Sequence, residues 1–330
     1  MGGKQILVLV VILLVAGFFV RAPLPVLLVA AEPIGKLGGF TITNTLLATW
    51  LTMAVLLLLF KKATTNMQMV PRGVQNFLEL AVEALLKFAM GTAGERNGRR
   101  FFPLIATIFF FVITNSWLSL LPGFSTIGPI HHVSGEHEAV PFAAVGPIAV
   151  LLPNSQPIQA GQHGPAGSIE GELVPLLRGA NTDLNTTLAI AVTAMVFVQL
   201  WGFQANGFGY LSKFISLKRL MKGDIMFGLI EFFVGIMELI GEFARVISFT
   251  FRLFGNMFAG EVLLAVIVFL VPWILVLPFY GLELFVGFVQ ALVFAGLTLV
   301  FATMSSAGHG GHDEQAHAPA AGGHAASGHH

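Results

Sequence analysis

Long apolar runs, punctuated by short charged or Pro/Gly-rich stretches, dominate this chain. Five of them, at 42–60, 101–121, 184–203, 225–270 and 281–304, reach the length of a membrane-spanning helix, about 17–25 residues. Lys61-Lys62 closes the first and Pro122-Gly123 the second. A further run, 6–20 behind Lys4, is short for a span. Its basic start, apolar middle and Ala30-Ala31 fit an insertion signal, or a first membrane helix carried past Pro23 and Pro25. Residues 74–90 read differently. Val74, Phe77, Leu78, Ala81, Leu85 and Phe88 recur at helical spacing, while Glu79, Glu83 and Lys87 fall elsewhere. That is an amphipathic helix, lying in the membrane interface or standing in the cytoplasm.

The run 225–270 contains no proline. As one helix it would be about 69 Å long at 1.5 Å per residue, against a hydrocarbon core of about 30 Å. It fits only if strongly tilted, unless Gly241 or Gly255 breaks it. Pro272 and Pro278 bracket a short turn, so the last span should fold back on it as a hairpin. The expected fold is an all-α polytopic membrane protein. It has an N-terminal signal-like or anchor segment (1–39) and a membrane domain (40–304) of five crossing helices with an outer loop at 122–183. A disordered Gly, Ala and His tail (305–330) follows.

Composition agrees with lipid as the solvent. Hydrophobic residues make up 55% of the chain and charged residues 10%, well below the roughly 25% of a soluble domain. Lys+Arg and Asp+Glu balance at 17 each, so nothing points to nucleic acid. Basic residues concentrate in 61–100 and 204–224, whereas the 122–183 loop holds only Arg178. The first two segments are therefore expected inside, with the tail, and the long loop outside. Lys36 dissents mildly.

Charge inside the longest run changes the picture most. Glu231, Glu238, Arg245 and Arg252 are seven apart, so each step drifts only about 20° around a helix. Glu242, Ser248 and Asn256 flank this stripe. Facing lipid, each charge would cost at least about 2.5–3.5 kcal/mol. The stripe must face protein or water. Glu238 with Glu242 or Arg245 also suits a structural ion pair. Glu261 lies about 180° from Arg252, by a turn of about 100° per residue. Glu283 and Gln290 share one face of the last span. Arg252 has no acidic residue within eight positions before or after it. Its guanidinium cannot deprotonate, so its counter-ion must come from elsewhere. A fixed cation facing a mobile carboxylate is a proton-pathway device.

The run Ser248-Phe249-Thr250-Phe251-Arg252-Leu253-Phe254-Gly255-Asn256-Met257-Phe258-Ala259-Gly260-Glu261 closely resembles the signature of subunit a of F-type ATP synthases. Asp183-Leu184-Asn185-Thr186-Thr187-Leu188 and Leu120-Leu121-Pro122-Gly123 resemble two further motifs of that family. The resemblance covers about residues 40–304. It implies a proton-translocating stator subunit of two half-channels beside a rotating c-ring, with Arg252 facing the ring carboxylate and separating them. Glu261, Glu283, Gln290, Asn256, Asp183 and Asn185 would belong to the outer half-channel. Glu238, Glu242, Arg245 and Ser248 would belong to the inner one. Expected partners are the c-ring, the peripheral-stalk b subunits and the lipid bilayer. The expected location is an energy-transducing membrane, the bacterial cell (inner) membrane. No catalysis and no cofactor are implied.

One departure concerns Ser116-Trp117-Leu118-Ser119, where many relatives have Asn-Trp-Leu-Gly; Asn115 is displaced by one residue, about 100° on a helix. The outer loop is also longer than in many relatives. Its His131, His132, His137 and His163, with Glu136 and Glu138, are zinc-type ligands without fixed spacing on rigid elements, so no metal site is expected. The alternative function is a secondary ion transporter with a buried Arg–Glu switch. That class predicts inverted repeats, and none is visible.

Overall fold

The computed structural model describes residues 30–121, 124, 127–128, 130–131, 140–145, 148–151, 168–173, 175–207, 209–210, 225–270 and 276–307. The N-terminal run, the loop histidines other than His131 and the tail beyond Ala307 lie outside these residues.

Strands β1 (Pro33–Leu37) and β2 (Phe40–Thr43) form an antiparallel hairpin. Its turn is Gly38-Gly39, with φ of 57° and 99°. Two consecutive positive φ values are what a tight hairpin needs, and only glycine adopts them freely. Helix α1 (Asn44–Thr65) follows directly, capped by Thr43 Oγ1, which accepts from Leu46 N.

Helix α2 (Val74–Ser119) merges the expected amphipathic helix and the next span across a kink at Gly94 (φ 77°, ψ 163°). The two halves fold closely together. A Cβ on Gly98 would sit 2.7 Å from the Met90 Cα. The amphipathic half buries Leu78, Leu85 and Ala89, while Phe77 and Phe88 remain exposed. The predicted apolar face is therefore rotated toward Ala89, because the inward side is set by packing on the rest of the bundle.

Outside the helices, β3 (Ile130–His131), β4 (Val140–Val145), β5 (Ile148–Leu151) and β6 (Ser168–Leu173) form a sheet in the order β3-β6-β4-β5, antiparallel throughout. Sequence patterning predicts only a loop there. A 3-10 turn (Ala180–Thr182) then leads into α3 (Leu184–Asn206), N-capped by Asp183.

Helix α4 (Ile225–Leu270) has the predicted bounds. Neither Gly241 nor Gly255 breaks it, and neither has positive φ. Its length of about 69 Å still requires a steep tilt. Helix α5 (Val276–Ser306) begins earlier than expected. Pro278 lies in its first turn, where a missing N–H leaves no hydrogen bond unmade, rather than in the preceding turn.

α4 and α5 form the antiparallel hairpin. Arg245 lies over the Phe301 ring, Phe249 against Phe294, Asn256 against Gln290, and Gly260 against Glu283, in opposite chain directions. Leu253 and Met257 continue the buried face begun by Phe249. The other side of α5 packs on α2. Gly287 admits the Ser116 Cβ at 3.0 Å from the position a Cβ would take, and Trp117 Nε1 donates to the Leu284 carbonyl. Five helices of the described residues are long and apolar enough to cross a membrane. Their lipid-length surfaces stay apolar and exposed, as at Leu57, Leu58, Phe243 and Phe285. The chain is thus an all-α polytopic membrane protein with a small sheet between α2 and α3.

Candidate functional site

Three segments converge near the end of the bundle that holds the N-termini of α1 and α3. Asn115 and Ser116 come from α2, Asn181 from the 3-10 turn, and Thr45 and Thr52 from α1. Asn115 is fully buried and Asn181 nearly so. Asn115 Nδ2 donates to Asn181 Oδ1 at 2.9 Å, and Asn181 Nδ2 donates to Ser116 Oγ and the Val112 carbonyl. Ala180 N donates to Asn115 Oδ1. Ser116 Oγ also lies 3.2 Å from Met257 Sδ on α4. Such a buried network is stable only when its members are satisfied. The one-residue displacement of Asn115 places its amide toward Asn181 and leaves Ser116 facing α4.

Asp183 belongs to the same framework. One carboxylate oxygen accepts from Asn185 N, capping α3, and the other accepts from Thr45 Oγ1 at 2.8 Å. Both oxygens are therefore engaged in joining α1 to α3. The Asn185 side chain is exposed in the first turn of α3.

Glu261 and Glu283 lie beside this framework on α4 and α5. Arg178, nearly buried, reaches Glu261 with two bonds: Nε to Oε1 at 3.2 Å and Nη2 to Oε2 at 3.1 Å. Its Nη1 donates to the Ala30 carbonyl. Sequence reasoning missed this pairing. Its one signal was that Arg178 is the single basic residue of the long loop. Glu283 is buried against Gly260, whose lack of a side chain makes room for the carboxylate. Among the described residues Glu283 forms no hydrogen bond or ion pair.

One turn back along α4, Asn256 Nδ2 donates to Gln290 Oε1 at 2.6 Å. Gln290 is buried, and its Nε2 has no partner among the described residues. Arg252 is half-buried, with its guanidinium carbon 5.9 Å from the Phe249 ring centroid. No described carboxylate forms an ion pair with it. The sequence-predicted residues Asn256, Gln290 and Glu283 are thus gathered where α4 and α5 face each other, while Glu261 points from α4 to Arg178, and Asp183 and Asn185 belong to the neighbouring framework.

Toward the other end of α4, Arg245 pairs with Glu242 and lies 4.0 Å from Glu238. Phe301 covers its guanidinium. Ser248 is exposed. About 21 Å of helix axis separates Glu238 from Arg252, and about 14 Å separates Arg252 from Glu261, at 1.5 Å per residue. Near Arg252 this face of α4 is open among the described residues: Ser248 and Asn256 are exposed, and Ile247 and Phe251 beside them are more than half exposed.

These features define a class: a multi-pass membrane protein whose long helical hairpin carries separated acidic groups on either side of an arginine that has no ionic partner among the described residues. The family model of the ATP synthase A chain matches residues 46–303. A similar protein is the ATP synthase subunit a of Gloeobacter violaceus, 31% identical over 291 residues, covering 86% of this chain and 95% of the relative. Another is the ATP synthase subunit a of Syntrophobacter fumaroxidans, 29% identical over 274 residues, with 83% and 88% covered. The chain belongs to the ATP synthase A chain family. It is a multi-pass component of the ATP synthase complex in an energy-transducing membrane, the proton-translocating subunit of its stator. The secondary-transporter alternative is not favoured.

Proposed function

We propose that the α4–α5 hairpin forms two offset half-channels, and that Arg252 is the barrier between them. The observation that carries this reading is Arg252 itself: a permanent cation on an apolar helix, without an ionic partner among the described residues, beside Ser248, Phe251 and Asn256, which those residues leave exposed. A ring of c subunits supplies the missing cover and the missing carboxylate. Protons enter from outside past Glu261 and Glu283, with Asn256 and Gln290 lining the inward end of that path. They neutralise a ring carboxylate, which then enters lipid without a net charge. After a turn of the ring they leave near Glu238, Glu242, Arg245 and Ser248.

Arg252 acts electrostatically. A ring carboxylate arriving opposite it is favoured in its ionised form and so gives up its proton. A hydrated proton passing directly from one half-channel to the other meets a fixed positive charge instead. The chain performs no catalysis; the chemistry occurs in the complex it serves. Peripheral-stalk b subunits hold it against rotation. The membrane is a bacterial cell membrane, with 61–100 and the C-terminus in the cytoplasm, as the concentration of basic residues in 61–100 and 204–224 supports. Asp183 and Asn185 contribute by holding the outer end of the path rather than by carrying protons.

The test is passive proton flux in membrane vesicles stripped of the catalytic head. The double variant Glu261→Gln/Glu283→Gln is expected to lose most of that flux. Unchanged flux in fully assembled complexes would remove both carboxylates from the pathway.

A further inference from the structure

The two outer carboxylates sit in opposite chemical circumstances. Both oxygens of Glu261 accept hydrogen bonds from one guanidinium, in the fork geometry that only arginine offers. Protonating either oxygen would turn an acceptor toward an N–H donor and break that fork. The Arg178 side chain is 5% exposed, so the cation has little water to fall back on if Glu261 is lost. Glu283 lies next to Gly260, the residue preceding Glu261, yet has no hydrogen bond among the described residues. Gaining or losing a proton breaks no bond there.

We infer that Arg178 and Glu261 are a fixed counter-ion pair at the outer path, and that Glu283 alone carries the proton there. Arg178 is a positioning residue. It engages Glu261 permanently, and Glu261 in turn cancels a buried positive charge that would repel incoming protons. This rests on the half-channel reading above and divides its labour. In the transfer itself, Glu283 takes a proton from outer water and releases it inward toward the ring carboxylate. Glu261 neither gains nor loses one. The pair also ties the outer segment before α3 to α4 across 83 residues of sequence, so the counter-ion sits where the path opens.

A charge cycle in the whole ATP synthase complex distinguishes counter-ion from carrier. ATP-driven proton pumping would be measured in inverted vesicles and normalised to assembled complex. Glu261→Gln leaves Arg178 uncompensated, and pumping is expected to fall at least about tenfold. In Glu261→Gln/Arg178→Gln the buried cation is gone as well, and pumping is expected to recover to within about threefold of the parent. A purely structural clip would show its loss in assembly, which the normalisation removes. The swapped pair Arg178→Glu/Glu261→Arg serves as a second variant should the neutral pair assemble poorly. It restores the charge balance while putting a group that cannot deprotonate at 261, and it is expected to pump.

If both compensated variants assemble and pump no better than Glu261→Gln alone, Glu261 carries protons and the inference is overturned. The half-channel reading survives that result. Parent-like pumping by Glu283→Gln, measured alongside, would likewise overturn the inference, whereas the half-channel reading fails separately only if Glu261→Gln/Glu283→Gln pumps like the parent.

Discussion

The Gly260 backbone lies directly against the Glu283 carboxylate, so that a methyl group at 260 would overlap Cδ and both carboxylate oxygens. Glycine is present because of this approach between α4 and α5, not because of backbone conformation: residue 260 is within a continuous helix. A residue of any larger size displaces the carboxylate from its position.

Gly260→Ala is therefore expected to impair ATP-driven proton pumping while the subunit still assembles. The overlap is with the end of a flexible side chain, so its cost falls on the position of the carboxylate rather than on the packing of the two helices. Shortening the opposing side chain should relieve it, so Gly260→Ala/Glu283→Asp is expected to pump better than Gly260→Ala. Quenching of a pH-sensitive dye in inverted vesicles measures both. Equal activity of Gly260→Ala and the parent would mean that the carboxylate is not held where it is described.

Asn115 is expected to matter for stability more than for transport. Asn115→Ala leaves Asn181 Oδ1 and Ala180 N without their partner in a dry site. The expected loss is about 1–3 kcal/mol for an unsatisfied buried group. It should appear as a lower denaturation midpoint of the detergent-solubilised complex. Assembled complexes that remain should pump normally.

Asp183 separates capping from proton carriage. Asparagine is as good an N-cap as aspartate, and alanine is worse by about 1 kcal/mol. Its two oxygens accept from Asn185 N and Thr45 Oγ1. Asp183→Asn can keep the cap and is expected to pump nearly as the parent does. Asp183→Ala is expected to lower the complex's thermal midpoint. A pumping defect in Asp183→Asn with normal assembly would place the carboxylate in the pathway after all.

Much of this was readable from the chain because helices in lipid satisfy their own backbone and leave long uninterrupted patterns. The bounds of α4 follow from its apolar run, and the hairpin with α5 from the short connection after it. That Glu283 and Gln290 share one face of α5 follows from their seven-residue spacing, although that this face meets α4 does not. Contacts between distant segments were not readable. Nothing local in Arg178 or Glu261 names the other, and the amide of Asn115 finds Asn181 only once α2 and the 3-10 turn are packed. The sheet of β3 to β6 was hidden by its short strands among Pro and Gly. The rotated face of the amphipathic half of α2, with Leu78, Leu85 and Ala89 inward, reflects packing neighbours that periodicity alone does not identify. The face around Arg252 was legible as a stripe, but the exposure of Ser248, Phe251 and Asn256 among the described residues was not.

The central claim is that Arg252 faces a carboxylate outside this chain and separates two water-filled paths. ATP-driven proton pumping by assembled Arg252→Ala complexes in inverted vesicles tests it most directly. The account predicts no pumping, because ring carboxylates would lose the charge that makes them release protons at the barrier. Pumping at the parent's rate, with assembly verified on the same vesicles, would contradict it.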